Sequence, residues 1–118
     1  MANDPRTHGL WRETAPPAPE TAALDGEARA EVAVIGAGYT GLSTALHLAQ
    51  KGIETKIVEA EHIGFGGTGR NVGLVNAGMW VMPNDLLATL GEDYGNRLLD
   101  LLGTGPAYVW EVIARHGI

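Results

Sequence analysis

Within residues 31–59, EVAVIGAGYTGLSTALHLAQKGIETKIVE, three patterns follow one another so closely that few folds remain open to the chain. Val32, Ala33, Val34 and Ile35 form a short apolar run rich in β-branched residues. Gly36 breaks the run at once, which predicts a buried strand ending in a tight turn. Gly36, Gly38 and Gly41 then spell G-x-G-x-x-G. Leu42, Ala45, Leu46 and Ala49 follow at i, i+3, i+4 and i+7, so the spacing predicts a helix with one apolar stripe, from which Thr44, His47 and Lys51 face away. Gly52 stands where that helix should stop, and Thr55, Lys56, Ile57 and Val58 read as a second strand that ends on Glu59.

Each residue type has a physical task in such a β-turn-α unit. Gly36 permits the sharp turn, Gly38 lets a pyrophosphate approach the backbone with no Cβ in the way, and Gly41 lets helix and strand pack closely. The first N–H groups of the helix lack intrahelical partners and carry the positive end of its dipole, so an anion is favoured there. Glu59 emerges at the end of the neighbouring strand, where a carboxylate can accept hydrogen bonds from both ribose hydroxyls of an adenosine. The same charge argues against a 2′-phosphate. A bare G-x-G-x-x-G is weak evidence, but here strand, glycines, amphipathic helix, second strand and acid fall in register, and together they predict dinucleotide binding.

A second informative stretch follows directly, Gly64 to Gly73, GFGGTGRNVG. Of the 17 glycines in the chain, nine lie between Gly36 and Gly73, a concentration that marks a ligand-cradling region rather than evenly spread turns. Thr68, Arg70 and Asn71 bring a hydroxyl, a guanidinium and an amide into this loop. It should lie at the C-terminal edge of the sheet, where open α/β sheets bind ligands.

Composition excludes several other classes. With 45% hydrophobic and 19% charged residues, the 118-residue chain is expected to be globular, one domain or part of one. A formal net charge of −6 with no Lys/Arg cluster gives no footprint for nucleic acid. The absence of cysteine removes disulfides, thiolate metal sites, thiol catalysis and a thioether link to a cofactor. No run approaches the ~20 apolar residues of a membrane span, and the N-terminus has no signal pattern, so a cytoplasmic location is expected. The four histidines, His8, His47, His62 and His116, are dispersed without metal-ligand spacing, so no metal site is expected.

Taken together, VAVIGAGYTGLSTALHLAQKG, VEA and GFGGTGRN with Gly73 resemble the N-terminal part of the FAD-dependent oxidoreductases of the D-amino-acid oxidase type. The nearest likeness is to the amine-oxidising branch that includes gamma-glutamylputrescine oxidoreductase. In that family the second loop typically reads G-A-S-G-R-N-G-G. Here Gly67 and Thr68 replace the Ala and Ser, Thr68 keeping the hydroxyl, and Val72 replaces a Gly. The resemblance implies an α/β fold, a Rossmann-like FAD-binding βαβ unit followed by helices. It also implies a cofactor site made by Gly36, Gly38, Tyr39, Thr40, Gly41, Glu59, Ala60, Gly67, Thr68, Arg70, Asn71 and Gly73. Within it the three motif glycines would face the pyrophosphate, Glu59 the adenine ribose, and Thr68, Arg70 and Asn71 the pyrophosphate and flavin. Related dimethylglycine and sarcosine dehydrogenases carry a flavin-linked histidine in this loop. Arg70 stands in its place, so FAD held without a covalent bond is expected.

The remainder of the chain is less specific. Residues 1–30, rich in Pro, Ala and polar residues, read as an extended arm, with Trp11 as an apolar anchor. Leu74 to Asn76 could form a strand, and Met79, Trp80, Val81 and Met82 read as core rather than as a substrate channel. Pro83 and Asn84 should start a helix. A longer one is expected from about Glu92, kinked or broken at Gly103 to Pro106, with Gly95 on it and no ligand nearby. Residues 31–118 are thus expected to be the N-terminal part of an FAD-binding domain. The substrate domain and C-terminal flavin contacts would be absent, and the chain alone is expected to be inactive. The function that follows is oxidation of the C–N bond of a small amine or amino acid, with oxygen or another acceptor taking the electrons. An NAD-dependent dehydrogenase would use the same first motif, and a non-catalytic nucleotide-binding fragment would need no more than it.

Overall fold

The computed structural model describes residues 14–118, so the expectations for His8 and Trp11 lie outside the described residues. Contacts divide the chain into two compact units, Met1–Val72 and Gly73–Ile118. The first is built on β1 (Val32–Ile35), α1 (Tyr39–Gln50) and β2 (Thr55–Val58), followed by a 3-10 turn at Gly67–Arg70. Residues 16–30 ahead of β1 carry neither helix nor strand.

β1 and β2 run parallel, with Val32 opposite Thr55 and Ile35 opposite Val58. Parallel neighbours need a crossover, and the α1 helix supplies it. The pairing extends one residue past β1, because Gly36 N–H donates to the Val58 carbonyl at 2.8 Å. Alternate residues of each strand are half-buried: Val32 and Val34 on β1, Thr55 and Ile57 on β2. The opposite face is open, with Ile35 89% exposed. Lys56 on that face donates to the Arg29 carbonyl, which pins residue 29 to β2.

The helix follows the expected stripe in part. Ala45 is buried and Leu42 half-buried, whereas Leu46 and Ala49 are exposed and Leu48 and His47 are turned partly inward. The His47 Nδ1 atom lies 2.6 Å from the Ser43 carbonyl, one turn back, so its ring lies along the helix instead of reaching into solvent. At the C-terminus Gly52 has φ 78°. Its N–H donates to the Ala49 carbonyl at 2.9 Å and the Ile53 N–H to the Leu48 carbonyl at 3.1 Å, the two bonds of a Schellman stop.

The second unit is dominated by α2 (Pro83–His116). Pro83 occupies the first turn, where its missing N–H costs no hydrogen bond. Three expectations fail here. Leu74 to Asn76 form no strand. Gly73 and Gly78 on either side have φ 72° and 93°, and such backbone does not continue a ladder. Met79, Trp80, Val81 and Met82 are exposed rather than core, Trp80 fully so. Lastly, the helix runs unbroken through Gly103 to Pro106, while the change from the first helix to the longer one expected from about Glu92 is found at Gly91, with φ 76° and ψ 167°. Proline removes one hydrogen bond from a helix that has many, whereas a residue at φ 76° leaves the helical region altogether.

Gly95 has a packing role. It is buried, and a Cβ there would lie 2.8 Å from Leu87 Cδ2 and 3.0 Å from Leu87 Cα. The segments on the two sides of Gly91 therefore pack against each other through Leu86, Leu87 and Gly95.

Candidate functional site

The site forms where β1 gives way to α1. Gly36 takes φ 95°, a conformation that costs other residues dearly, so the glycine is required by the turn itself. Gly41 is required for a different reason. A Cβ on it would lie 2.0 Å from the Gly36 carbonyl oxygen and 3.3 Å from Val34 Cγ1, so only glycine lets the helix sit this close to the strand. Leu42 N–H closes the first helical bond on the Gly38 carbonyl at 2.9 Å. The N–H groups of Tyr39, Thr40 and Gly41 ahead of it have no acceptor within the helix. No acidic residue lies in the first turn to compete with an incoming anion.

The second loop folds onto this turn. Gly64 N–H donates to the Ala37 carbonyl at 3.0 Å, and Gly69 N–H returns to the Gly64 carbonyl at 2.9 Å. The second closure needs glycine at 69, because a Cβ would lie 2.4 Å from the Gly64 oxygen. Thr68 is thereby carried to the helix start, where its Oγ1 accepts the Tyr39 N–H at 3.0 Å. The same hydroxyl lies 3.0 Å from where a Gly38 Cβ would be. Asn71 completes the join: its Nδ2 donates to the Tyr39 hydroxyl at 3.1 Å and to the Thr68 carbonyl at 2.5 Å.

Glu59 closes the site from β2. Its Oε2 accepts the buried Ala37 N–H at 2.7 Å and its Oε1 the Glu61 N–H at 3.1 Å. The Ala37 bond foremost, then those from Glu61 and Ala60 and the nearby His62, hold this carboxyl below its ordinary value, against a smaller opposing effect of desolvation. Glu59 is therefore a fixed anion against the glycine turn, and its remaining lone pairs are free to accept hydroxyl groups.

Of the residues singled out by sequence, the structure brings Gly36, Gly38, Tyr39, Thr40, Gly41, Glu59, Ala60, Thr68 and Asn71 together at the end of the parallel pair. Arg70 lies on the same 3-10 turn as Thr68, its guanidinium 5.1 Å from the centre of the Phe65 ring. Gly67 opens that turn with open space around it, so nothing in the fold demands glycine there. Gly73 belongs to the second unit. Ala37, Phe65 and Gly69 are missed by sequence reasoning. The signal was present only for Phe65, the single phenylalanine of the chain, set among glycines.

Such a site can hold a diphosphate at the helix start and a ribose at Glu59. The acid-free helix terminus and the fixed carboxylate fit FAD, while the missing Cβ at Gly38 makes room for the Thr68 hydroxyl. Among the described residues no cluster of His, Asp or Glu could hold a metal ion, and no helix is long and apolar enough to cross a membrane.

Comparison with known proteins gives a consistent result. The family described as FAD dependent oxidoreductase (DAO) matches residues 31–115. The chain is similar to a probable oxidoreductase OrdL of Rhizobium meliloti, 35% identical over 109 residues, which cover 92% of this chain and 26% of the relative. It is also similar to gamma-glutamylputrescine oxidoreductase of Escherichia coli, 41% identical over 90 residues, covering 75% of this chain and 21% of that protein. A phytoene dehydrogenase of Streptomyces griseus is 35% identical over 89 residues, covering 65% of this chain and 17% of the relative. The chain thus spans about a quarter or less of the length of these relatives. No solved structure matches it.

Proposed function

We propose a function from the premise that this chain belongs to the FAD dependent oxidoreductase family: it is the FAD-binding part of an enzyme that oxidises the C–N bond of an amine or amino acid. FAD, when bound, supplies the acceptor for a hydride from the carbon beside the nitrogen, leaving an imine that water hydrolyses, with oxygen or another acceptor taking the electrons. The chain's own residues bind and orient. In this reading the turn at Gly36, Gly38 and Gly41 admits the diphosphate, and the N–H groups of Thr40 and Gly41 face it, the Tyr39 N–H being held by the Thr68 hydroxyl. Glu59 accepts the ribose hydroxyls. Thr68, Arg70 and Asn71 flank the diphosphate and flavin, with Ala60 and Gly67 as backbone neighbours. The amine as substrate rests on the relative named gamma-glutamylputrescine oxidoreductase, and a cytoplasmic setting is part of the same proposal.

One observation carries the choice of FAD over NAD. A second polar loop is docked on the glycine turn through Thr68 and Asn71, whereas the first motif with its acid would already suffice for a nicotinamide cofactor. Titration of FAD with the protein, followed by flavin fluorescence, tests the reading, with NAD as competitor. Saturable quenching that NAD fails to reverse is expected. Binding of NAD without FAD would establish the dehydrogenase instead.

A further inference from the structure

We propose that Phe65 is a positioning residue for the cofactor: its ring holds the Arg70 guanidinium in place to meet the FAD diphosphate. This rests on the flavin reading above. Arg70 is exposed, and a free arginine side chain has much rotamer freedom to lose when it engages an anion. Here the guanidinium carbon lies 5.1 Å from the Phe65 ring centre, within the range in which an aromatic face attracts a cation.

The ring itself is restrained on two sides. His62 meets it in a T-shaped contact with centroids 5.1 Å apart and planes at 77°. The Phe65 N–H donates to the His62 carbonyl at 3.0 Å, and the preceding Gly64 N–H is tied to the Ala37 carbonyl of the glycine turn at 3.0 Å. Through these bonds the support beneath Arg70 is fixed to the turn that would receive the diphosphate. A cation ordered before the ligand arrives has less entropy to lose on binding, so the ring contributes affinity without touching the cofactor.

The test is a double-substitution cycle read by FAD titration of the protein and of Phe65→Leu, Phe65→Tyr, Arg70→Gln and the Phe65→Leu/Arg70→Gln pair. Removing the aromatic face with Phe65→Leu should weaken FAD binding by about three- to fivefold, the size of an exposed cation–π contact. Phe65→Tyr keeps the face and should restore affinity, which a purely steric role would not guarantee. In the Arg70→Gln background Phe65→Leu should cost nothing further. An equal loss in both backgrounds, or none in the first, would overturn the proposal while leaving FAD binding intact. Absence of FAD binding by the unsubstituted protein would instead bring down the flavin reading, and this proposal with it.

Discussion

Thr68 and Tyr39 stand 29 positions apart, yet the Thr68 hydroxyl accepts the Tyr39 N–H at 3.0 Å. Helix α1 has Gly38 at its N-cap and no side chain of its own to cap it. Its cap therefore comes from the second loop, so the order of that loop and the integrity of the helix start are linked. Thr68→Val keeps the shape but removes the acceptor, and should cost about 1 kcal/mol of stability. FAD affinity should fall with it. Thr68→Ser should retain both, as thermal unfolding and flavin titration can check.

Glycine substitutions should separate along the motif. Gly41→Ala places a Cβ 2.0 Å from the Gly36 oxygen, a collision of backbone with backbone that no rotamer relieves, and should cost about 3 kcal/mol or more. Gly38→Ala meets only the Thr68 hydroxyl, at 3.0 Å, and should disturb the second loop and FAD binding more than the fold. Gly67→Ala has open space and no positive φ, so it serves as the neutral control for folding stability. Equal unfolding midpoints for the Gly41 and Gly67 variants would remove the close helix-strand approach from the account.

The acid dependence of stability should report on Glu59. Its folded-state pKa lies below the ordinary value of 4.5, so its contribution is complete above that value and is lost as pH falls through the depressed folded one. Glu59→Gln can still accept the Ala37 N–H but has no charge to lose. The difference in unfolding midpoint between the protein and this variant should be greatest near neutrality and shrink on acidification. The variant should also hold FAD more weakly, since an amide is a poorer acceptor for ribose hydroxyls than a carboxylate. A difference that stays constant with pH would show that the Glu59 charge is not engaged.

Any flavin bound should be released by acid. The chain has no cysteine, and by the resemblance drawn from its sequence Arg70, which cannot form such a bond, takes the place of the flavin-linked histidine of related dehydrogenases. His62 is engaged with Phe65. Acid precipitation should leave the colour in the supernatant, and colour retained in a washed pellet would refute non-covalent binding.

The β-α-β unit is legible because each of its signals is local: an apolar run, a spaced set of glycines, a stripe, a stop. The docking of the second loop is not. It depends on Gly69 closing on Gly64 and on Thr68 reaching Tyr39, and nothing in GFGGTGRNVG says which glycine folds against which. The change of helix at Gly91 is legible, since a longer helix is expected from about Glu92, but the unbroken course through Gly103 to Pro106 is not. Gly91, Gly95, Gly103 and Gly105 look alike as letters, and only the first leaves the helical region. Sequence favoured Pro106 as the breaker because proline's cost is local and visible. The packing between Leu87 and Gly95 is a relation between turns of two segments and has no local mark.

That packing yields a prediction opposite to the one propensity suggests. Alanine is favoured over glycine inside a helix by about 1 kcal/mol, so Gly95→Ala ought to stabilise α2 if the position were open. It is not open. The new Cβ would stand 2.8 Å from Leu87 Cδ2, which can rotate away, but also 3.0 Å from Leu87 Cα, which moves only with its backbone, and 3.4 Å from the Leu86 carbonyl oxygen. Overpacking of this kind costs about 1–3 kcal/mol, which equals or exceeds the propensity gain, so a net loss of stability is expected. Gly103→Ala, with nothing within 4 Å of its Cβ, should show the gain without the clash. Thermal unfolding of the two variants side by side decides the point. A higher midpoint for Gly95→Ala than for Gly103→Ala would mean that the segments on either side of Gly91 do not pack in solution as they do here.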